Sequence, residues 1–92
     1  MTEPTVRHPH GGVEWDIPVD LLGIQRRFDE ADAECARLVD GEDRDAYQAA
    51  RTRRLHEALA LHDHPWLLEQ MAQGRRYQAD MALKHLARSA PH

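Results

Sequence analysis

The sequence predicts an all-α fold, a three-helix up-down-up bundle built from an antiparallel helical hairpin and a third helix, with self-association expected. Three observations carry that prediction. From Pro18 to Val39 the apolar residues Leu21, Ile24, Phe28, Ala31, Cys35 and Leu38 recur at alternating steps of three and four, which lines them along one narrow stripe of a helix. The break Asp40-Gly41-Glu42-Asp43 is too short for anything but a tight reversal between helices. The three helical segments, about 22, 19 and 24 residues long, would each span roughly 30 Å at 1.5 Å per residue, as a bundle of matched rods requires.

Residues 1–12 carry Pro4, Pro9, Gly11 and Gly12 among polar residues with no periodic apolar face, and read as a flexible tail. His8-Pro9-His10 within it offers two imidazoles, which on a flexible segment make a poor metal site without further ligands. The domain proper is assigned to residues 13–88. Val13, Trp15 and Ile17 alternate with Glu14 and Asp16 in a short extended lead-in whose Trp15 and Ile17 lie against the helices.

Asp16 and Pro18 mark the start of the first helix, because proline's fixed φ and missing N–H suit a first turn. Gly41 can end it in the left-handed conformation, and Asp40 or Asp43 can cap the second helix, Asp43 to Leu61. There the apolar residues split between Leu55, Ala58, Leu59 and His62 on one side and Tyr47, Ala50 and Leu61 on another. His62-Asp63-His64-Pro65 reads as a break and restart, with Asp63 or His64 as cap. The third helix is predicted from Pro65 to about Arg88, with Leu68, Ala72, Ala79, Ala82, Leu83 and Leu86 as its main stripe. Leu67, Met71, Gly74, Met81 and His85 form a second arc, and Gly74 inside a helix suggests close approach of another backbone. Residues 89–92 read as a tail.

Composition narrows the function classes. Leu, Ile, Val and Phe number only 17, with 13 Ala, so one modest core is all that 92 residues can bury, and a second subunit is the expected support. A single cysteine, Cys35, excludes an intrachain disulfide and sits on the first stripe as a small apolar residue. No run approaches the roughly 20 apolar residues of a membrane span, and no signal-peptide core is visible, so a cytoplasmic location is expected. Eleven Arg against one Lys, with abundant Ala, matches translation of a GC-rich bacterial genome.

No motif carries catalytic chemistry, and no enzyme activity or cofactor is predicted. A thin Ala-rich bundle has little room for the apolar pocket that a working carboxylate pair needs. The leading reading is a small helical protein–protein interaction or regulatory module that pairs with itself or with another protein's helix through Trp66, Leu67, Met71, Gly74 and Met81. The alternative is a nucleic-acid-binding accessory regulator. Residues 1–45 hold 12 acidic and 5 basic side chains and residues 46–92 hold 4 and 7, so Arg51, Arg53, Arg54, Arg75 and Arg76 would form a phosphate-binding strip if they face outward. A third reading is a metal at His56, His62 and His64, whose spacing fits no recognised ligand signature.

Overall fold

The computed structural model describes residues 3–89 and shows an α+β chain. An antiparallel hairpin of β1 (Thr5–His10) and β2 (Val13–Pro18) leads into four helices: α1 (Val19–Leu38), α2 (Arg44–His62), α3 (Pro65–Ala72) and α4 (Arg76–Ser89). Two differences overturn the all-α three-helix bundle, and each has a local cause.

The first is β1, which occupies most of the segment read as a tail. Gly11 and Gly12 take φ of 62° and 79°, the pair of positive values that a tight two-residue hairpin turn requires. The register pairs Val6 with Ile17, His8 with Trp15 and His10 with Val13, so these six side chains share the face turned toward the helices. Along β1, Val6, His8 and His10 are half-buried while Thr5, Arg7 and Pro9 are exposed. The strand alternates, but two of its three inward residues are imidazoles, so hydropathy does not reveal the period.

The second is a break in the predicted third helix. Gly74 adopts φ 74°, its N–H donates to Met71 O at 3.0 Å, and the Arg75 N–H donates to Gln70 O at 2.9 Å. These are the paired bonds that close a helix C-terminus through a left-handed glycine. Gly74 therefore ends α3, and nothing lies within 4 Å of where its Cβ would stand, so no second backbone approaches there. Gly41, by contrast, is not among the positive-φ glycines, and the α1 end closes by its N–H donating to Leu38 O at 3.0 Å.

The core gathers Trp15 and Ile17 from β2, Leu21 and Leu22 from the first turn of α1, Leu67 from α3, and Ala79, Ala82, Leu83 and Leu86 from α4. Trp15 is its cross-link. The indole N–H donates to His10 O at 3.1 Å, its ring meets Trp66 edge to face at 6.2 Å, and the Arg75 guanidinium lies 4.9 Å from its centroid. Val19 N–H, left free at the start of α1, donates to Pro4 O at 3.1 Å and ties β1 to the helix.

Helix α2 is nearly absent from this core and contributes only the half-buried Leu61. It runs along α1 as an arm of the 45 × 26 × 26 Å molecule, over a thin seam of Ala31, Cys35 and Ala50. Ion pairs hold the arm: Arg27 with the mostly buried Glu57 at 2.7 Å, Arg54 with Asp32 at 3.1 Å, and Arg53 with Glu34 at 3.8 Å.

Truncating Trp15 to Ala removes the central contact between hairpin and helices and is expected to cost about 3–5 kcal/mol, as large-to-small changes at buried aromatics do. Urea unfolding monitored by circular dichroism measures it.

Candidate functional site

Three histidines converge where β1 meets α4. His8 and His10, two residues apart on a strand, project from the same face, and His85 reaches toward them from the exposed flank of α4. His8 Nε2 lies 2.8 Å from His85 Nδ1, so one ring donates and the other accepts. The ring centroids of His85 are 5.0 Å from His8 and 5.1 Å from His10, and those of His8 and His10 are 6.4 Å apart. One nitrogen from each ring falls within 4.8 Å of the others, and among the described residues this is the one set of three or more His, Cys, Asp or Glu with that convergence. Burial first, and then His85 and His10, hold the His8 imidazole below its ordinary range, which favours the neutral ring with its lone pair free.

Beside the cluster lies a groove of about 340 Å³ lined by His10, Met81, Lys84, His85, Arg88 and Ser89. Lys84 is paired with Asp80 at 2.9 Å, one helical turn away. The arrangement offers three imidazoles at one edge of an open, basic groove.

The histidines singled out in the sequence do other work. His56 is exposed on α2, beside Arg53 and Glu57 in a groove between α1 and α2. His62 is exposed and bonded to Asp63 at 3.0 Å. His64 caps α3: its Nδ1 accepts from Trp66 N–H at 3.1 Å, so Nε2 carries the proton and donates to Asp20 Oδ2 at 3.0 Å. Period-two reading of the Val6, His8, His10 alternation was the one available signal for the His8, His10 and His85 cluster, and His85 has none in the local sequence.

The predicted contact residues are divided between elements. Leu67 is 1% exposed in the core, Trp66 packs on Trp15, Met71 is exposed on α3, Gly74 forms the α3–α4 turn and Met81 is partly exposed on α4 next to His10. They do not form one helical arc. The five arginines are each engaged within the chain: Arg51 over Tyr47, Arg53 and Arg54 on α1 carboxylates, Arg75 donating to Gln70 Oε1 at 2.7 Å, and Arg76 donating to His62 O at 3.3 Å.

Two exposed apolar side chains stand elsewhere, on the α1–α2 arm. Leu55 and Leu59, one turn apart on α2, are 61% and 56% exposed. Leu55 and Ala58 share a groove with Phe28, Asp32, Arg51 and Arg54. Phe28 and Ile24, one turn apart on α1, are only half-buried.

Residues 20–86 match a family described as a domain of unknown function (DUF8825). The match starts at Asp20, after the hairpin, and takes in helices α1 to α4 as far as Leu86. No curated protein and no solved structure matches the chain. No helix among the described residues is long and apolar enough to cross a membrane.

Two outcomes follow for the His64 cap. His64→Ala should cost about 1 kcal/mol and His64→Asn less, since Asn also caps, as read from urea midpoints. The hydrogen bond from His64 holds the Asp20 carboxyl below its ordinary value of 3.8, against an opposing effect of burial. The unfolded chain therefore binds the extra proton first as pH falls, so the stability that this pair adds is present above that value and is lost as pH drops through the lower folded value. Asp20→Asn should flatten this part of the acid limb in denaturation midpoints measured from about pH 5 to pH 2.

Proposed function

We propose that this chain, which belongs to the DUF8825 family through its helical body, is a non-catalytic helical interaction module of the cytoplasm that self-associates through the α1–α2 arm. The observation that carries this reading is the exposure of Leu55 and Leu59, with Leu55 in a groove beside Phe28, on a helix α2 that adds only Leu61 to the core. Two antiparallel helices bury one seam between them and leave their flanks wet, and a second hairpin laid on one flank completes a four-helix arrangement.

A second copy of the chain is the occupant that this reading names, and the opposite charge balance of the two helices supports their alignment within each copy. Helix α1 carries five acidic and three basic side chains, and α2 carries two acidic and four basic. A two-fold axis that sets Leu55 and Leu59 of one copy against the same residues of the other covers the exposed side chains of both at once. The family match covers both helices of the arm. The nucleic-acid alternative has less support, because Arg53 and Arg54 already face α1 carboxylates that would repel a phosphate backbone.

Light scattering over a concentration series should show a dimer for the natural chain. Leu55→Asp combined with Leu59→Asp should give a monomer with an unchanged helical circular dichroism spectrum, because both side chains are exposed in the single copy. A natural chain that stays monomeric at every concentration overturns the reading.

A further inference from the structure

We propose that His8, His10 and His85 bind one divalent transition-metal ion, with Zn²⁺ as the reference ion, and leave its fourth position open to an anion in the groove of Lys84 and Arg88. The site is built from positions far apart in the chain, His8 and His85 being 77 residues apart, yet its nitrogens already converge. A strand presenting His-x-His on one face, with a third His from a packed helix, supplies three donors on one side of an ion, the count found in catalytic and exchangeable zinc sites. Neutral imidazole nitrogens suit Zn²⁺, Cu²⁺, Co²⁺ and Ni²⁺ and not the oxygen-seeking Ca²⁺ or Mg²⁺.

The distances are close to what an ion needs. Bonds of about 2.0–2.1 Å to each nitrogen in a tetrahedral arrangement place ligand atoms roughly 3.4 Å apart. The 2.8 Å pair of His8 and His85 has to open slightly, and the wider contacts within the 4.8 Å set have to close. The proton now shared by that pair moves to the other nitrogen of its own ring, so both rings present a lone pair and no proton is released. Movement is available at His85, which is exposed on its helix, while pairing with β2 holds His8 and His10 in register.

Three neutral ligands leave the ion with its full double charge, and no carboxylate belongs to the set. The fourth position faces the groove of Met81, Lys84, Arg88 and Ser89, where two cations favour hydroxide or another small anion over a neutral ligand. Asp80 partly offsets Lys84, which lessens its repulsion of the ion itself.

The inference stands apart from the dimer reading, since the cluster lies on the hairpin and α4. It is tested on untagged full-length protein stripped with a chelator and titrated with Zn²⁺ and with Co²⁺. One ion per chain, a melting temperature raised on the order of 10 °C at saturation, and the visible absorption of four-coordinate Co²⁺ are expected. His85→Ala, an exposed change that spares the core, should weaken binding at least about 100-fold, while His56→Ala and the Leu55→Asp, Leu59→Asp variant should bind as the natural chain does. Azide added to the Co²⁺ form should shift its visible bands, and Arg88→Gln should weaken that response several-fold. Binding below one ion per chain, or equal affinity in His85→Ala, overturns the metal site; unchanged bands with azide overturn the open fourth position.

Discussion

The burial of Trp15 is the constraint on which the rest of this structure depends. A chain with so few large aliphatic residues cannot close a core from its helices alone, and α2 is almost entirely outside the core that forms. Trp15 supplies the missing area in one side chain, and its bonds run in three directions: to His10 O within the hairpin, to Trp66 on α3, and to Arg75 at the start of the α4 segment. The hairpin is thus one wall of the core, and the four helices without it would expose Leu21, Leu83 and Leu86.

Because Trp15 sets the depth and register of the hairpin, it also sets the histidine cluster. His8 is the cross-strand partner of Trp15, so burying the indole turns the imidazole toward α4. A slip of one residue would reverse the faces of the strand and carry His8 and His10 away from His85. The cluster is therefore a consequence of core packing, positioned by a side chain that does not belong to it.

The molecule divides physically into a packed end and an arm. At the packed end apolar burial dominates; along the arm, small side chains at the seam are supplemented by Arg27–Glu57 and Arg54–Asp32, which favour one alignment of α2 on α1. The exposed Arg54–Asp32 pair contributes little free energy, and the pair made by the mostly buried Glu57 contributes more, added to the length of contact between the two helices. That arrangement leaves Leu55 and Leu59 outside.

Local order was legible in the sequence wherever one residue acts through its own neighbours. The α1 stripe was readable in part, since Leu21, Ala31 and Cys35 are buried while Ile24, Phe28 and Leu38 are half-buried and Leu22 and Gln25 are buried outside it; polar residues ahead of helical runs narrowed the caps to Asp40 or Asp43 and Asp63 or His64, of which Asp43 and His64 serve. The Gly11-Gly12 turn was equally local, but the strand it serves was hidden because imidazoles take the inward positions. Gly74 was ambiguous for a different reason: a glycine between two apolar stripes fits a continuous helix or a stop, and the backbone bonds of the α3 end decide between them. The meeting of His8, His10 and His85, the pairing of Arg53 and Arg54 with α1 carboxylates and the exposure of Leu55 and Leu59 depend on contacts between distant segments. No spacing in a linear chain encodes which faces will meet; only the packing of the hairpin and α4 around Trp15, and of α2 along α1, determined them.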